Sequence, residues 1–487
     1  MGDVRVRFAP SPTGEPHVGW AHTAIFNWLF ARHEGGKFVL RIEDTDLGRN
    51  VPDAPQIFER TLAWLGMDYD EGLEKDGPYG PYRQSERLGL YGPFAERLVA
   101  EGKAYPCFCT PEQLEERRET QRAQKLPPRY EGTCRSLSVD ERRRRMASGE
   151  PYALRMIVPQ EGKTTFHDLI RGEVAIENRV FDDFVIMKSG GMPAYNFACV
   201  IDDSSMHITH VIRGEEHISN TPKQLLIYEA LGLAAPTFAH VPMILAPDRS
   251  KLSKRHGATS LREFERDGYL PEAIANYMML LNWSPGEGDA EVIDLREAAQ
   301  RFRLEDVQKS AAIYDVKKLA WLNAIYLRRL SPEQLADRAL PFFVHNGLVP
   351  EDSKPEAVAE ACALGQARAQ TLVELAVNSR YLFLEPDEFD AVGVQKQFRK
   401  AGAAERLDQV RAVLSSLSDW RAASIEEAFG TLSETHNLPR GQFIHPTRLA
   451  VTGRTVGPGL FELLEAVGQA RTVQRLQKAE EYIAQLG

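Results

Sequence analysis

Cysteine is scarce in this sequence, with five residues among 487. A small and odd number of cysteines argues against a disulfide scaffold and favours a reducing compartment. No apolar run reaches the roughly 18 residues that a transmembrane helix requires, so we expect no membrane partner. The pattern of a secretory signal, a basic start followed by an apolar run, is missing as well. These observations predict a cytoplasmic protein.

Positive charge is also in short supply, because the formal net charge at pH 7 is −10. A negative total argues against nucleic acid as a partner, but it describes the whole surface rather than any one face. Local basic clusters occur at 142–145, 251–255 and 328–329. Composition alone would not predict an RNA partner. The length is too great for one core and suggests about three domains.

The first residues of the chain have the pattern of a strand, a turn, a helix and a second strand. We predict strands at Val4–Ala9 and Phe38–Ile42, with a turn rich in proline and glycine at 10–16. Apolar residues after this turn recur at helical spacing, namely Ala21, Ala24, Ile25, Trp28 and Leu29. The alternation of strand and helix predicts a parallel sheet.

The turn lacks the usual dinucleotide and P-loop fingerprints, GxGxxG and GxxxxGK[ST]. His17 and Gly19 lie where the helix begins, so backbone N–H groups and the positive end of the helix dipole face the turn. Gly19 has no Cβ and would let a ligand approach the backbone closely. From the turn alone, two interpretations stand: a nucleotide phosphate site, or a polar cap at His17 with Gly19 serving only to pack.

A second segment, KLSKR at Lys251–Arg255, forms a basic loop of the kind that is usually a solvated surface. Together with FAPSPTGEPHVGWAHTA at Phe8–Ala24, however, it resembles the two signatures of the class I aminoacyl-tRNA synthetases. Further segments resemble the bacterial glutamyl-tRNA synthetase family, namely RIEDTD (41–46), PYRQSERL (81–88), VIRGEEHISNTPKQ (211–224) and LAVTG (449–453). The similarity extends from the first strand to the last helix.

This resemblance implies an α/β fold with a Rossmann-like parallel-sheet catalytic domain at 1–86 and 194–246. An acceptor-end-binding domain is expected as an insertion at 87–193, and a stem-contact domain at 247–332. An all-α C-terminal body is expected to bind the anticodon through two helical subdomains, 333–391 and 392–487. Apolar residues at helical spacing support that body independently, including Leu407, Val410, Leu414 and Leu417.

The activity that the resemblance implies is that of a glutamate–tRNA ligase. ATP would activate L-glutamate as glutamyl-adenylate, and the terminal adenosine of tRNA-Glu would then receive the glutamate. The expected partners are tRNA-Glu, L-glutamate and ATP, with Mg²⁺ bound mainly by the nucleotide, and the expected state is a monomer. Such chemistry needs positioning and charge stabilisation rather than a covalent nucleophile. A non-discriminating form that also charges tRNA-Gln is the alternative.

The resemblance also assigns residues to sites, with His17 and Lys254 as the catalytic groups. The ATP site would consist of His17, Gly19, Glu216, Lys251, Ser253, Lys254 and Arg255. The glutamate pocket would consist of Arg7, Ala9, Ser11, Glu43, Tyr195 and Arg213. The guanidinium groups of Arg7 and Arg213 suit a carboxylate, with pairing to a protein carboxylate as the alternative. Arg368 would face the third anticodon base.

Three cysteines raise a metal hypothesis, because Cys107, Cys109 and Cys134 resemble part of a zinc knuckle in this family. The position of the fourth ligand holds Ser136, which does not replace an imidazole. We therefore favour cysteines without a metal and assign no metal ligand; zinc with the distant His167 is the alternative. Two positions also depart from the family pattern, Trp20 and Cys199.

Three competing functions fit parts of the chain. A shorter relative that modifies a tRNA base with glutamate would lack the residues past Leu330. Glutaminyl-tRNA synthetases typically end in β-barrels, which the helical spacing of the last 100 or so residues disfavours. A catalytically inactive tRNA-binding protein would not need both phosphate motifs.

Overall fold

The computed structural model describes residues 3–46, 48–252, 259–286 and 291–486. The chain forms two compact units, the first comprising Met1–Glu263 and Ile274–Val316, and the second Phe264–Ala273 and Lys317–Gly487. Among the helices that are described, none combines the length and apolar character needed to cross a bilayer.

The described strands all lie in the first unit. In chain order they are β1 (Arg5–Phe8), β2 (Lys37–Leu40), β3 (Ala104–Cys107), β4 (Ala153–Met156), β5 (Lys163–Asp168), β6 (Gly172–Glu177), β7 (Val185–Met187), β8 (His210–Gly214), β9 (Thr237–Val241), β10 (Ile244–Leu245) and β11 (Ala312–Ile313).

Helices occur in both units, joined by turns and short 3-10 segments. In chain order they are α1 (Val18–His33), α2 (Ala54–Trp64), α3 (Leu88–Ala100), α4 (Pro111–Ala123), α5 (Val139–Ala147), α6 (Tyr195–Ser205), α7 (Thr221–Leu231), α8 (Leu261–Arg266), α9 (Pro271–Leu280), α10 (Leu295–Arg301), α11 (Val316–Arg329), α12 (Pro332–His345), α13 (Ala359–Gly365), α14 (Leu372–Asn378), α15 (Ala391–Gly393), α16 (Ala403–Ser416), α17 (Ala422–Thr435), α18 (Gly441–Thr452), α19 (Leu460–Val467) and α20 (Gln469–Gln485).

The main sheet has six strands in the order β2-β1-β8-β9-β5-β6. All neighbours are parallel except the β5–β6 hairpin. The predicted strand–turn–helix–strand unit at the N-terminus is confirmed as β1-α1-β2, and every residue of β1 is buried. Such burial is expected for a parallel strand covered on both faces. The predicted Rossmann-like fold is thereby confirmed.

The sequence also predicts a second βαβ unit, with strands at Ile208–Arg213 and Thr237–Ile244 and a helix at Thr221–Leu231 between them. The structure contains this unit as β8, α7 and β9. Helix α7 begins at Thr221 with Pro222 in its first turn, where proline needs no N–H partner. It ends at Gly232, whose φ of 61° is in the left-handed region that glycine enters at little cost. Both boundaries therefore follow from local residue chemistry.

The hairpin β5–β6 differs from the expectation for the segment 87–193. Its strands extend the main sheet, because Asp168 pairs in parallel with Phe238 of β9. The rest of that segment includes an antiparallel sheet of its own, in the order β3-β4-β7. Pairing between residues 70 positions apart leaves no local periodicity, so the sequence did not indicate it. The limits of the acceptor-end domain stay a prediction.

In the second unit the described residues form helices and no strands, as predicted for the C-terminal body. One hydrophobic core extends along the chain to Ala376, and another begins at Tyr381. The second core contains the predicted apolar residues Leu407, Val410 and Leu414, all fully buried. The change of core thus comes somewhat before residue 391, where the sequence placed the division.

Candidate active site

A cleft of about 820 Å³ opens in the first unit where several parallel strands of the main sheet end. Residues directly after β1, β8 and β9 line it, together with the first turn of α1. Ligands of open α/β sheets bind at this edge, outside the carboxyl ends of the strands.

Ten of the residues that the sequence assigned to ATP or glutamate line this one cleft, namely Arg7, Ala9, Ser11, His17, Gly19, Glu43, Tyr195, Arg213, Glu216 and Lys251. They come from five separate parts of the chain. Ser253, Lys254 and Arg255 lie outside the described residues. The geometry brings the ten side chains together, and the roles assigned to them stay predictions.

Backbone hydrogen bonds join the N-terminal turn to the segment that follows the basic loop. The N–H of Val18 donates to the carbonyl oxygen of Thr259 at 3.0 Å, and the N–H of Leu261 donates to that of Pro16 at 3.0 Å. Between these bonds His17 faces Ser260 in an antiparallel bridge. The first motif and the segment that follows the second are thus held side by side.

His17 is the N-cap residue of α1, and its Nδ1 accepts the N–H of Trp20 at 3.2 Å. Desolvation in the cleft lowers the pKa of His17, with Glu216 opposing and Lys251 assisting. A neutral imidazole that accepts at Nδ1 carries its proton on Nε2. The turn therefore offers an Nε2–H donor beside the N–H groups of a helix N-terminus, a combination that suits a phosphate.

Gly19 lies directly against that imidazole. A Cβ at this position would come within 3.2 Å of both Cε1 and Nδ1 of His17. Because this is tighter than ordinary contact, any side chain here would press on the ring. The interpretation of a polar cap at His17 with Gly19 packed against the ring is thus what the structure contains. The nucleotide phosphate site stays a prediction.

The two pocket arginines are bound differently. Nε of Arg7 pairs with Asp203 at 3.2 Å, and the same carboxylate pairs with Arg41 at 2.7 Å. Arg41 also contacts Glu43 at 3.1 Å. For Arg7, the alternative of a protein carboxylate partner is therefore what the structure contains.

Arg213 is buried but contacts only neutral groups. Its Nη2 donates to Oγ1 of Thr221 at 2.7 Å, and its Nε donates to Nε2 of His240 at 3.3 Å. Its Nη1 has no hydrogen-bond partner, and no carboxylate of the described chain forms an ion pair with it. A buried, unpaired N–H of a cation is costly, so an anionic partner would stabilise this group.

The carboxylate of Glu43 also lines the pocket. The thiol of Cys199 donates to Oε1 of Glu43 at 3.1 Å, and burial raises the pKa of this thiol well above its usual value. Cys199, which departs from the family pattern, therefore still makes a polar contact with Glu43. Tyr195 lies close by, with its hydroxyl 3.2 Å from Nδ1 of His217.

Four residues of this region were missed by the sequence reasoning: Asp203, His217, Thr221 and His240. His217 lines the cleft, and burial followed by the charges of Arg213 and Arg7 lowers its pKa to about 4. The motif VIRGEEHISNTPKQ contains His217 and Thr221, so a signal existed for them. Asp203 and His240 are buried behind the pocket, and their chain positions gave no such signal.

The three cysteines converge in the segment 87–193. The sulfur atoms of Cys107, Cys109 and Cys134 all lie within 4.8 Å of one another. A hydrogen bond from Cys134 is the main cause that lowers the pKa of the Cys107 thiol. Thiolates in such an arrangement suit zinc. The hydroxyl of Tyr130, 3.4 Å from the sulfur of Cys107, is an oxygen donor at the same place.

Neither Ser136 nor His167 joins the three cysteines as a fourth ligand. The hydroxyl of Ser136 donates to the carbonyl oxygen of Thr133 at 3.1 Å. His167 is exposed on β5 and contacts Glu173 at 2.8 Å. The alternative of zinc with His167 is therefore wrong in its fourth ligand, although the three sulfur atoms fit a metal.

In the second unit, Arg368 is exposed between α13 and α14. Arg448 lies near enough for its pKa to be lowered, first by burial and then by the charge of Arg368. Two neighbouring arginines concentrate positive charge, as expected of a surface that meets RNA. This placement is compatible with the anticodon role predicted for Arg368, which stays a prediction.

Comparison with known families gives two matches that together cover most of the chain. The family described as tRNA synthetases class I (E and Q), catalytic domain, matches residues 3–321. An anticodon binding domain matches residues 334–480. Curated relatives include the glutamate–tRNA ligase of Moorella thermoacetica, 51% identical over 99% of both chains, and that of Desulforudis audaxviator, 50% identical over 99% of this chain and 97% of the relative.

Solved structures agree with these matches. A crystal structure of a glutamate tRNA ligase from Elizabethkingia meningosepticum in complex with its amino acid superposes with a TM-score of 0.88 at 35% identity, covering 99% of this chain and 100% of that one. Glutamate-tRNA synthetase from Elizabethkingia anophelis gives 0.87 at 36% identity, covering 98% and 100%. The chain therefore belongs to the glutamate- and glutamine-type class I tRNA synthetases, within the glutamate–tRNA ligase family.

Proposed function

We propose that this chain activates L-glutamate with ATP and transfers it to the terminal adenosine of tRNA-Glu. One observation carries the proposal: a single cleft contains a helix N-terminus with a histidine donor and is lined by a buried guanidinium with an unpaired N–H. The first suits a phosphate and the second suits a carboxylate. Curated relatives that match over nearly the whole length are named glutamate–tRNA ligases, which does not favour the form that also charges tRNA-Gln.

Activation would take place where the two motifs meet. The α-carboxylate of glutamate attacks the α-phosphorus of ATP, the bond to the β-phosphate oxygen breaks, and pyrophosphate leaves. His17 would donate from Nε2 to a phosphate oxygen as negative charge builds. Lys251, which lines the cleft, and Lys254 would neutralise the leaving pyrophosphate. Mg²⁺ bound by the nucleotide would supply further charge neutralisation.

Glutamate would lie between opposite charges of the pocket. The unpaired Nη1 of Arg213 would bind the side-chain carboxylate, with Arg7 adding positive charge nearby. Glu43, polarised by Arg41 and Cys199, would hold the ammonium group. Glutamine would present a neutral amide to Arg213 and leave the guanidinium unpaired, which is a strong basis for rejection.

Other parts of the chain would bind tRNA. The residues 87–193 would meet the acceptor end, 247–332 the stem, and the helical subdomains 333–391 and 392–487 the anticodon. Arg368 would face the third anticodon base. A structural zinc held by Cys107, Cys109 and Cys134, with the oxygen of Tyr130 as a fourth donor, would fix the fold of the acceptor-end segment. We further propose that the protein is a cytoplasmic monomer.

Charging of purified tRNA-Glu and tRNA-Gln with labelled glutamate tests the proposal. We expect tRNA-Glu to accept glutamate and tRNA-Gln to be charged roughly tenfold more slowly, since a good Arg–base contact contributes ~1–3 kcal/mol of discrimination. Absence of charging on both tRNAs would contradict the proposed function. Equal charging would restore the non-discriminating alternative.

A further inference from the structure

Behind Arg213 lies a buried pair of residues that the proposed mechanism does not use. His240 is on β9 and Asp168 ends β5, and both side chains are completely buried. Nδ1 of His240 lies 2.6 Å from Oδ2 of Asp168. Oδ1 of Asp168 accepts the backbone N–H groups of Ile170 and Arg171 at 3.0 and 2.8 Å. Neither Asp168 nor His240 lines the cleft.

The hydrogen bonds fix which ring nitrogen of His240 carries the proton. Burial opposes ionisation of Asp168, but hydrogen bonds from His240 and from the backbone hold its pKa below the usual value. An ionised carboxylate only accepts, so Nδ1 of His240 is the protonated nitrogen. Nε2 is then a bare acceptor, and both Nε of Arg213 and the hydroxyl of Thr221 lie within reach of it, at 3.3 and 3.0 Å.

We propose that Asp168 and His240 are positioning residues that orient Arg213 to bind the side-chain carboxylate of glutamate. This inference rests on the proposed function and extends it from the cleft to the residues behind it. Thr221 belongs to the same arrangement, because its hydroxyl donates to His240 and accepts from Nη2 of Arg213. In the contacts among Arg213, Thr221 and His240, donors thus face acceptors, and the single lone pair of Nε2 is shared between two donors.

This arrangement fixes the position of the guanidinium of Arg213 and leaves its positive charge without a paired protein carboxylate. Arg7, by comparison, pairs directly with the carboxylate of Asp203. The carboxylate of Asp168, by contrast, does not contact Arg213 directly. The neutral imidazole of His240 lies between the two groups. Neutral acceptors fix Nε and Nη2, and the remaining Nη1 has no partner within the protein. A direct ion pair with a protein carboxylate would have neutralised the positive charge of Arg213 within the protein.

The β5–β6 hairpin gains a function from this arrangement. Its Asp168 supplies the charge that sets the tautomer of His240, although the hairpin belongs to the segment 87–193. Glutamate binding would thus depend on a strand outside the residues that line the pocket. An orientation role of this kind affects binding of the amino acid much more than binding of ATP.

The substitution Asp168→Asn tests the proposal with almost no change in size. The carbonyl oxygen of the asparagine would keep the two backbone N–H groups, and its NH₂ group would then face Nδ1 of His240. The imidazole would move its proton to Nε2, where it opposes the Nε–H of Arg213. We expect the KM for glutamate to rise roughly tenfold or more, with the KM for ATP within about twofold.

A matched control is Asp183→Asn, which changes another buried carboxylate of the first unit. Asp183 accepts the hydroxyl of Tyr105 and the N–H of Val158, both at 2.8 Å, and lies outside the cleft lining. We expect the KM for glutamate of this variant to stay within about twofold of wild type. An equal rise in both variants would show a general effect of lost buried charge and would overturn the proposal.

Two substitutions of His240 distinguish orientation from packing. His240→Gln keeps an oxygen acceptor near the position of Nε2, whereas His240→Leu removes it. We expect the glutamine variant to keep a KM for glutamate several-fold lower than that of the leucine variant, with similar thermal unfolding. An unchanged KM for glutamate in Asp168→Asn and His240→Leu, or a parallel rise in the KM for ATP, would overturn the proposal. Charging by the wild type tests the proposed function separately.

Discussion

The N–H of Val18 donates to the carbonyl oxygen of Thr259 at 3.0 Å, although 241 positions separate the two residues. This bond and its neighbour from Leu261 to Pro16 fix the turn that begins α1 against the end of the basic-loop segment. A histidine from one motif and a lysine from the other, His17 and Lys251, consequently line the same cleft. Two weak local signals thus come together at one cleft.

Gly19→Ala tests the role of the glycine beside His17. The new Cβ would lie within 3.2 Å of the imidazole, so the ring or the first turn of α1 must shift. We expect kcat for charging to fall roughly tenfold or more, because small misplacements of a donor weaken transition-state contacts strongly. Gly14→Ala is the control from the same turn, since a Cβ there would meet nothing within 4 Å. Similar losses in both variants would contradict the steric explanation.

Zinc content tests the cysteine cluster. We expect about one zinc per chain in purified protein, because three thiolates within reach of one ion form most of a structural site. Cys109→Ser should abolish retention of the metal. Cys362→Ala, which removes a buried cysteine of the second unit, should leave it unchanged. Metal-free wild-type protein with normal charging activity would contradict this part of the proposal.

Arg368→Ala tests the predicted contact with the third anticodon base. We expect kcat/KM for tRNA-Glu to fall roughly tenfold, in line with the ~1–3 kcal/mol of a good Arg–base contact, with unchanged KM for glutamate and ATP. Arg421→Ala is a control from the same unit, since this exposed arginine pairs with Asp419 at 2.7 Å. An unchanged ratio of tRNA-Glu to tRNA-Gln charging would refute the assignment.

His22 gives a prediction for the pH dependence of stability. Burial lowers its pKa from 6.5 to about 4, so the unfolded chain binds its proton more readily than the folded one. The neutral ring therefore makes its full contribution to the free energy of unfolding above pH 6.5. This contribution is lost as the pH falls toward 4, a change of ~3 kcal/mol at most.

Urea unfolding at pH 7 and pH 5 measures this effect. We expect the wild type to lose more stability between these values than His22→Gln does, and the exposed His436→Gln to behave like the wild type. Other histidines of the cleft shift in the same direction, so the variant should reduce the loss and not remove it. Equal losses in wild type and His22→Gln would contradict the burial argument.

The elements that the sequence predicted are those with a local cause. Helix α7 was predicted at both ends because Pro222 and Gly232 have fixed backbone preferences, and β1-α1-β2 because its periodicity changes between strand and helix. The cleft residues were predicted through their motifs. The pairing of β5 with β9 was not, because it depends on contact between distant strands.

The missed residues share the same physical reason. Asp168, His240 and Asp203 are buried polar groups whose meaning depends entirely on the partners that the fold brings to them. In the sequence each is one acidic or basic residue among many. Tyr130 is comparable, since only the fold places its hydroxyl beside the cysteine cluster. Chemistry that arises from long-range contacts among buried groups has no local pattern to read.

The central claim is that His17 and the basic loop at 251–255 act on the same ATP triphosphate. Pyrophosphate release in the presence of glutamate and tRNA-Glu, measured for His17→Ala, Lys254→Ala and the double variant, tests it most directly. We expect each single change to lower kcat by roughly 100-fold or more with tRNA binding nearly intact, and the double change to cost much less than the product of the two. Wild-type activity in Lys254→Ala, or effects that multiply as for independent sites, would contradict the claim.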